Sequence, residues 1–528
     1  MPPDEPAEQP ASISRRTLIV GGGLGIASVV VAGKLITDGG GTPSAAPAQA
    51  TTAARAATSA TDPPSLEGAD PAPSADHVFD RVISGGRVID PDTGYDQVAN
   101  IGIDGARITS ISTQPLTGKA TIDATNLVVA PGFIDLLSYE PNDHGSWFKI
   151  GDGVTTNLGM HGLNNTANGF FEMYGSKSMR PPVHYGGAFD DSYMRTELKV
   201  KTTAATQAQT DKMVAAVEQS FVDGYIGVSF EPEYTPWVTD DEINAMAAAA
   251  QKHGMPVTFH VRYSSPDDPG KDNATALAEV LQVARATGAS VHVDHITSTG
   301  GTHTMPQSIA TLEQARADGV DVTACMYAYD FWATTAGSPR FDDGWQQRFR
   351  ITYSDLAIPG QGERLNEATF NKARRDNTLV AAYAIPEEDV VTGLQTDWIM
   401  IGSDAILLPA NNNHPRASGC FTRVLGRYVR DQQVLSLTDA LAKMTIMPAK
   451  RFGKQVPALQ RKGRLQMGAD ADITIFDPAT VSDMSTVDDP AQMAKGVSFV
   501  LVSGQVVKEG DTLHKEIRLG DPIKGTPA

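Results

Sequence analysis

The sequence is poor in cysteine and in positive charge, and each deficit excludes a class of protein. Only Cys325 and Cys420 occur among 528 residues, so one disulfide at most could form and no Cys-x-x-Cys zinc cluster exists. Lysine and arginine number 43 against 62 acidic residues, which gives a formal net charge of −19. We expect no nucleic-acid partner, because neutralising phosphates requires clustered Lys and Arg. Hydrophobic residues make up 41%, an ordinary share that supports a sizeable core.

The first residues, 1–37, have the pattern of an export signal. Ser14-Arg15-Arg16-Thr17 precedes an apolar, Gly-rich stretch that ends near Ile36, and this pattern resembles a twin-arginine signal. Lys34 interrupts the stretch and makes a stable membrane span less attractive, although an uncleaved anchor stays open. We therefore expect export through the twin-arginine machinery to the periplasm or the outside. Residues 38–76, rich in Ala, Pro, Ser and Thr, are expected to form a flexible linker.

Short strand patterns occupy both ends of the remaining chain. Residues 77–128 contain an alternating run over 78–89, and residues 456–528 contain similar runs over 471–476 and 497–502. We expect both ends to pair into one small β-sandwich, with a barrel over residues 129–455 inserted between them.

Strand and helix patterns alternate inside residues 129–455, which implies parallel strands and an α/β fold. Thr239 begins a capping box before an Ala-rich helix, and Gly288 ends another helix. The stretch 338–396 is too long for one barrel loop and is interpreted as an insertion that could act as a lid. The prediction is a (β/α)8 TIM barrel whose strands end near Asp135, His161, Gly186, Glu231, His260, His295, Tyr327 and Asp404.

Four of the predicted strands end in a group that can bind a metal or move a proton. These groups are His161, His260, His295 and Asp404. A (β/α)8 barrel builds its active site at the C-terminal ends of its strands, so the four side chains are expected to converge. Three imidazoles and one carboxylate describe a hydrolytic zinc site with its base.

Several motifs resemble the amidohydrolase superfamily. Residues 129–135 resemble its first barrel strand, and residues 463–473 resemble its return into the sandwich. His414-Pro415-Arg416, residues 423–428 and His260-Val261-Arg262 resemble the N-acyl-D-amino-acid deacylase (D-aminoacylase) branch. The resemblance implies a metal-dependent hydrolase of a C–N amide bond in a small, carboxylate-bearing substrate, with N-acyl-D-amino acids as the best-supported class.

Two departures from the family pattern bear on the metal. The superfamily follows its first strand with His-x-His, the ligands of a more exposed metal, whereas this chain has Leu137-Ser138-Tyr139. The branch has a cysteine ligand at the end of the second strand, where this chain has His161. The resemblance therefore implies one zinc, or another divalent metal, held by His161, His260 and His295. Asp404 would hold and deprotonate the water, and Glu233 is a further candidate ligand.

Five side chains are candidates for binding a substrate carboxylate, since planar or polar donors suit that group. In the D-aminoacylase branch a lysine lies two residues after the histidine of the sixth strand, whereas this chain has Thr297 there. The usual contact with the substrate carboxylate is therefore in question. A catalytically inactive ligand-binding barrel and a cyclic-amide hydrolase or isomerase remain open, and no oligomeric state follows from the sequence. The candidate substrate-binding residues are Arg262, His184, Tyr327, His414 and Arg416.

Overall fold

The computed structural model describes residues 63–528. The predicted signal at 1–37 and most of the predicted linker lie outside the described residues. None of the helices within 63–528 is long and apolar enough to cross a membrane.

The strands of the described chain, in order, are β1 (Val78–Asp90), β2 (Tyr95–Asp104), β3 (Arg107–Ser112), β4 (Thr117–Asp123), β5 (Val128–Pro131), β6 (Phe133–Asp135), β7 (Val154–Gly159), β8 (His184–Gly187), β9 (Phe189–Asp190), β10 (Val228–Phe230), β11 (Val257–Phe259), β12 (Val291–Val293), β13 (Val322–Met326), β14 (Trp332–Thr335), β15 (Leu356–Ala357), β16 (Leu379–Ala382), β17 (Ile399–Ile401), β18 (Ile473–Phe476), β19 (Val497–Val502), β20 (Gln505–Glu509) and β21 (Thr512–Leu513).

The α-helices are α1 (Asp143–Gly151), α2 (Ala167–Gly175), α3 (Asp191–Glu197), α4 (Gln207–Asp223), α5 (Asp240–Lys252), α6 (Asn273–Thr287), α7 (Met305–Ala317), α8 (Trp345–Phe349), α9 (Glu367–Asp376), α10 (Glu387–Gln395), α11 (Cys420–Arg423), α12 (Leu437–Met444) and α13 (Ile446–Phe452). A π-helical segment, Val424–Asp431, continues α11. Local chemistry sets several ends as predicted: the Thr239 side chain caps α5, and Gly288 ends α6 in the left-handed conformation at φ 73°.

Both chain ends build one β domain, as predicted. Strands β1–β5 and β18–β21 form a single nine-stranded sheet in the order β21-β20-β19-β18-β5-β1-β2-β3, with β4 also on β1. The two ends join where β18 pairs antiparallel with β5. Gly85, at φ 70°, lies in an irregularity of β1 that lets its first half pair with β4 and its second half with β5.

The predicted (β/α)8 barrel is confirmed. Strands β6, β7, β8, β10, β11, β12, β13 and β17 run parallel, and β8 continues through β9, which reaches β10. The ring closes between its last and first strands, where the Asp404 amide donates to the Leu137 carbonyl at 2.8 Å. Lys149 of α1 supports this closure, because its Nζ donates to Asp135 at 2.6 Å and to Ser403 at 2.7 Å. The C-terminal ends of all eight strands therefore meet at one rim.

A separate small sheet interrupts the barrel after β13. Strands β14, β15 and β16 pair antiparallel, with α8 and α9 in their connections. We call residues 332–382 the inserted unit. The predicted insertion, 338–396, differs from it at both ends. The inserted unit begins earlier because β14 belongs to this sheet, and it ends earlier because α10 packs against α7 as a barrel helix.

Candidate metal centre

The three predicted histidines converge at the C-terminal rim of the barrel. His161, His260 and His295 follow β7, β11 and β12, and their ligand nitrogens all lie within 4.8 Å of one another. All three side chains are buried. Each comes directly after, or one residue beyond, a short buried strand, so the barrel register alone brings them together.

His260 faces His295 on one side and a carboxylate on the other. His260 Nδ1 lies 3.1 Å from His295 Nε2, while His260 Nε2 donates to Glu233 Oε2 at 2.6 Å. Burial lowers the pKa of both imidazoles, and for His260 it outweighs the opposing effect of Glu233. Both rings are therefore neutral, which is the form that binds a metal. Nitrogen ligands suit zinc. Because His260 Nε2 is hydrogen-bonded to Glu233, His260 Nδ1 is the nitrogen available to bind the metal.

Glu233 is therefore a partner of a histidine in this structure. It was predicted as a candidate metal ligand, but its Oε2 accepts from His260 Nε2, from Ser264 Oγ at 3.0 Å and from Arg340 Nη1 at 2.7 Å. A carboxylate in this position fixes the ring orientation of the imidazole.

His161 has a similar neighbour, Glu231, which follows the same strand, β10. His161 Nδ1 lies 3.5 Å from Glu231 Oε1, and neither atom has a hydrogen-bond partner among the described residues. Burial raises the pKa of Glu231 to about 7. The two glutamates of the β10 loop thus lie beside two different imidazoles of the cluster.

Asp404 lies beside the histidines, as predicted. Its Oδ2 is 4.0 Å from His295 Nε2 and accepts from Arg416 Nη2 at 2.7 Å. Burial raises the pKa of Asp404, but the charge of the Arg416 guanidinium opposes it, and the pKa stays below its ordinary value. The carboxylate is therefore ionised at neutral pH and can accept a proton.

The backbone at the rim is held in an uncommon conformation. Asp404 has φ 50° and His295 has φ 29°, values that few residues other than glycine adopt. Such strain is concentrated at functional sites, where the surrounding fold maintains it.

The positions of the expected His-x-His pair have other roles here. Leu137 is fully buried, and its carbonyl accepts the Asp404 amide. The Tyr139 hydroxyl donates to Asp404 Oδ1 at 3.2 Å, and its ring meets the His161 ring edge-on at 5.5 Å between centroids. Tyr139 therefore contacts both the carboxylate and one imidazole without offering a nitrogen ligand.

Three of the five candidate substrate-binding residues lie near Asp404. The Arg416 guanidinium stacks 3.9 Å from the Tyr327 ring centroid, and both side chains are buried. Arg416 Nη1 and the Tyr327 hydroxyl have no partner among the described residues. Burial and then the charge of Arg416 lower the pKa of His414 to about 3, with Asp404 opposing them.

Arg262 and His184 do not join this group, which corrects their predicted role. Arg262 forms a bidentate pair with Glu279 at 2.6 to 3.0 Å and also donates to two carbonyls. His184 begins β8, at the opposite end of the barrel from the rim. Its Nε2 lies 3.1 Å from Asp472, and its Nδ1 accepts the Asp521 amide at 3.0 Å. Internal partners occupy both side chains.

Sequence reasoning missed Arg340. This fully buried arginine of the inserted unit donates to Glu233, which lies 107 residues earlier. No local motif signals such a pairing, since the insertion was recognised only by its length.

Comparisons with known proteins give consistent results. The model of the amidohydrolase family matches residues 151–508. The N-acyl-D-glutamate deacylase of Alcaligenes xylosoxydans xylosoxydans is 32% identical over 81% of this chain and 93% of its own length. The D-aminoacylase of the same organism is 28% identical over 81% and 94%. The solved N-acyl-D-glutamate deacylase of Bordetella bronchiseptica, complexed with zinc and a phosphonate inhibitor, superposes with a TM-score of 0.73. It is 26% identical, with coverage of 85% of this chain and 100% of that structure's chain.

Proposed function

This chain belongs to the amidohydrolase family, and we propose on that premise that it is a zinc-dependent deacylase of N-acyl-D-amino acids. The observation that carries the proposal is the convergence of His161, His260 and His295, buried and within 4.8 Å, beside an ionised Asp404. Relatives named for deacylation of N-acyl-D-glutamate and for D-aminoacylase activity supply the substrate class.

Asp404 acts as the proton carrier in this scheme. Zinc, when bound to the three histidines, would lower the pKa of a water molecule and polarise the substrate carbonyl. Asp404 takes the proton of the attacking water and returns it to the nitrogen that leaves as the amide bond breaks. Its low pKa keeps it ionised before the reaction, and Arg416 and Tyr139 hold its two oxygens in place.

Arg416 also has a free donor for the substrate. Its Nη2 binds Asp404, while its Nη1 and the hydroxyl of Tyr327 have no partner among residues 63–528. Both groups can donate to a carboxylate, which is the part of an N-acyl amino acid that distinguishes it from a simple amide. His414 lies close enough to Arg416 and Asp404 for their charges to shift its pKa.

We propose a single metal per chain. The support is that Leu137 and Tyr139 stand where the superfamily has two further histidine ligands, and Tyr139 donates to Asp404 instead. The double variant Leu137→His/Tyr139→His should bind a second equivalent of zinc, measured by elemental analysis after dialysis. A wild-type protein that already retains two equivalents would contradict the proposal.

Product analysis tests the activity itself. The purified protein should release acetate and free D-glutamate from N-acetyl-D-glutamate and leave N-acetyl-L-glutamate intact, as followed by chiral chromatography. Conversion without acetate release would indicate an isomerase, and hydrolysis of dihydropyrimidine-type rings alone would indicate a cyclic-amide hydrolase. Binding without turnover would indicate an inactive barrel.

We also propose export through the twin-arginine route, supported by Arg15-Arg16 and the apolar stretch that follows them. These residues lie outside the described part of the chain. Replacing both arginines with lysine should retain the full-length protein in the cytoplasm, as followed by cell fractionation. Unchanged export of that variant would contradict this route.

A further inference from the structure

The inserted unit contacts the metal centre through a chain of buried side chains. Arg340 Nη1 donates to Glu233 Oε2 at 2.7 Å, and the same oxygen accepts from His260 Nε2 at 2.6 Å. One carboxylate oxygen thus joins an arginine of the insertion to an imidazole of the metal centre.

Arg340 is held between the inserted unit and the barrel loop that follows β12. Its Nη2 donates to the Ser298 carbonyl at 2.8 Å, and its guanidinium lies 4.2 Å from the Trp332 ring centroid and 4.9 Å from that of Phe349. Only 2% of the residue is exposed. The position of the guanidinium therefore depends on the packing of β14 and α8 around it.

A second, independent contact reaches the same imidazole. The Tyr234 ring lies 4.6 Å from the His260 ring, and the Tyr234 hydroxyl donates to Thr334 Oγ1 of β14 at 3.3 Å. The inserted unit is therefore connected to His260 in two ways. Arg340 binds Glu233, which is hydrogen-bonded to the imidazole, and Thr334 binds Tyr234, whose ring packs against it.

We propose that docking of the inserted unit positions His260 for zinc, so that zinc binding and docking stabilise each other. Arg340 is a positioning residue in this scheme, acting through Glu233. Partners of this kind set the orientation of a ligating imidazole, and coupling between two binding equilibria is reciprocal. The inference rests on the proposed function only in taking His260 as a zinc ligand.

Zinc affinity provides the first test. Arg340→Met should weaken zinc binding about tenfold in competition with a fluorescent chelator, the lower end of the usual effect of losing a direct partner of a ligand, because Arg340 acts through Glu233. Arg375→Met, at an exposed arginine of α9 in the same inserted unit, is the matched control and should bind zinc like the wild type. Thr334→Val removes only one hydroxyl and should weaken binding about fivefold, so it decides the matter if Arg340→Met does not fold.

Hydrogen exchange provides the reciprocal test. Adding zinc to the metal-free wild type should slow amide exchange in residues 332–382, and this protection should be much smaller in Arg340→Met or Thr334→Val. His260→Ala separates the two proposals. Loss of zinc in His260→Ala would confirm that His260 binds the metal. If the Arg340 and Thr334 variants nevertheless bind zinc normally, and zinc does not change amide exchange in the inserted unit, only the coupling is overturned. If the wild type binds no zinc at these histidines, the proposed function fails and the coupling fails with it.

Discussion

Replacing Asp404 with asparagine removes the proton acceptor while keeping the side-chain shape. We expect Asp404→Asn to bind zinc but to lose roughly two to four powers of ten in kcat, the usual contribution of a general acid–base group. The variant should also be less stable. Asp404 and Arg416 form a buried pair at 2.7 Å, and removing one charge from such a pair typically costs about 3–5 kcal/mol. The assay must therefore be run well below the unfolding temperature of the variant.

Asp483→Asn is a suitable control for this experiment. Asp483 pairs with Arg423 at 2.9 Å, and its side chain is 13% exposed against 10% for Asp404, but it does not contact the histidines. The control should lose stability without a comparable loss of kcat. Turnover of Asp404→Asn within tenfold of the wild type, at equal zinc content, would refute the role of Asp404 as the proton carrier.

Two further predictions concern substrate binding and pH. Arg416→Met should lower kcat/KM more for a free-acid substrate than for its methyl ester, by an additional 1.5–3 kcal/mol, roughly. Arg262→Met should affect the acid and the ester equally, because its guanidinium is already paired with Glu279. Burial raises the pKa of Asp152 to about 6, so between about pH 4 and pH 6 the folded protein retains a proton that the unfolded chain releases. The contribution of Asp152 to stability should therefore fall as the pH rises through this window, by up to about 1.4 kcal/mol per pH unit, and the slope of Asp152→Asn in denaturant titrations should be smaller than that of the wild type by this amount. An unchanged slope in the variant would assign the pH dependence to another group, and equal losses on acid and ester in Arg416→Met would exclude a carboxylate contact.

The sequence predicted the elements whose signals are local. Strand-terminal residues such as His161, His260, His295 and Asp404 could be identified because a parallel barrel brings every C-terminal strand end to one rim. The paired chain ends were predictable for a similar reason, since both carry alternating strands and neither could bury a core alone.

Contacts between distant side chains were not predictable from these patterns. Arg262 follows a barrel strand and has suitable chemistry for a carboxylate, but Glu279 on α6 neutralises it. His184 is at the start of its strand, so its position along β8 decided its role more than its residue type did. Arg340 lies in an insertion whose fold has no simple periodicity, and only the folded chain places it on Glu233.

The metal content of the purified protein is the most direct test of the central claim. Elemental analysis after dialysis should find one zinc per chain in the wild type and much less in His260→Ala. Removal of the metal should abolish hydrolysis of N-acetyl-D-glutamate, and one equivalent of zinc should restore it. Full activity with an empty site would contradict the metal-dependent mechanism, and two retained equivalents would contradict the single-metal centre.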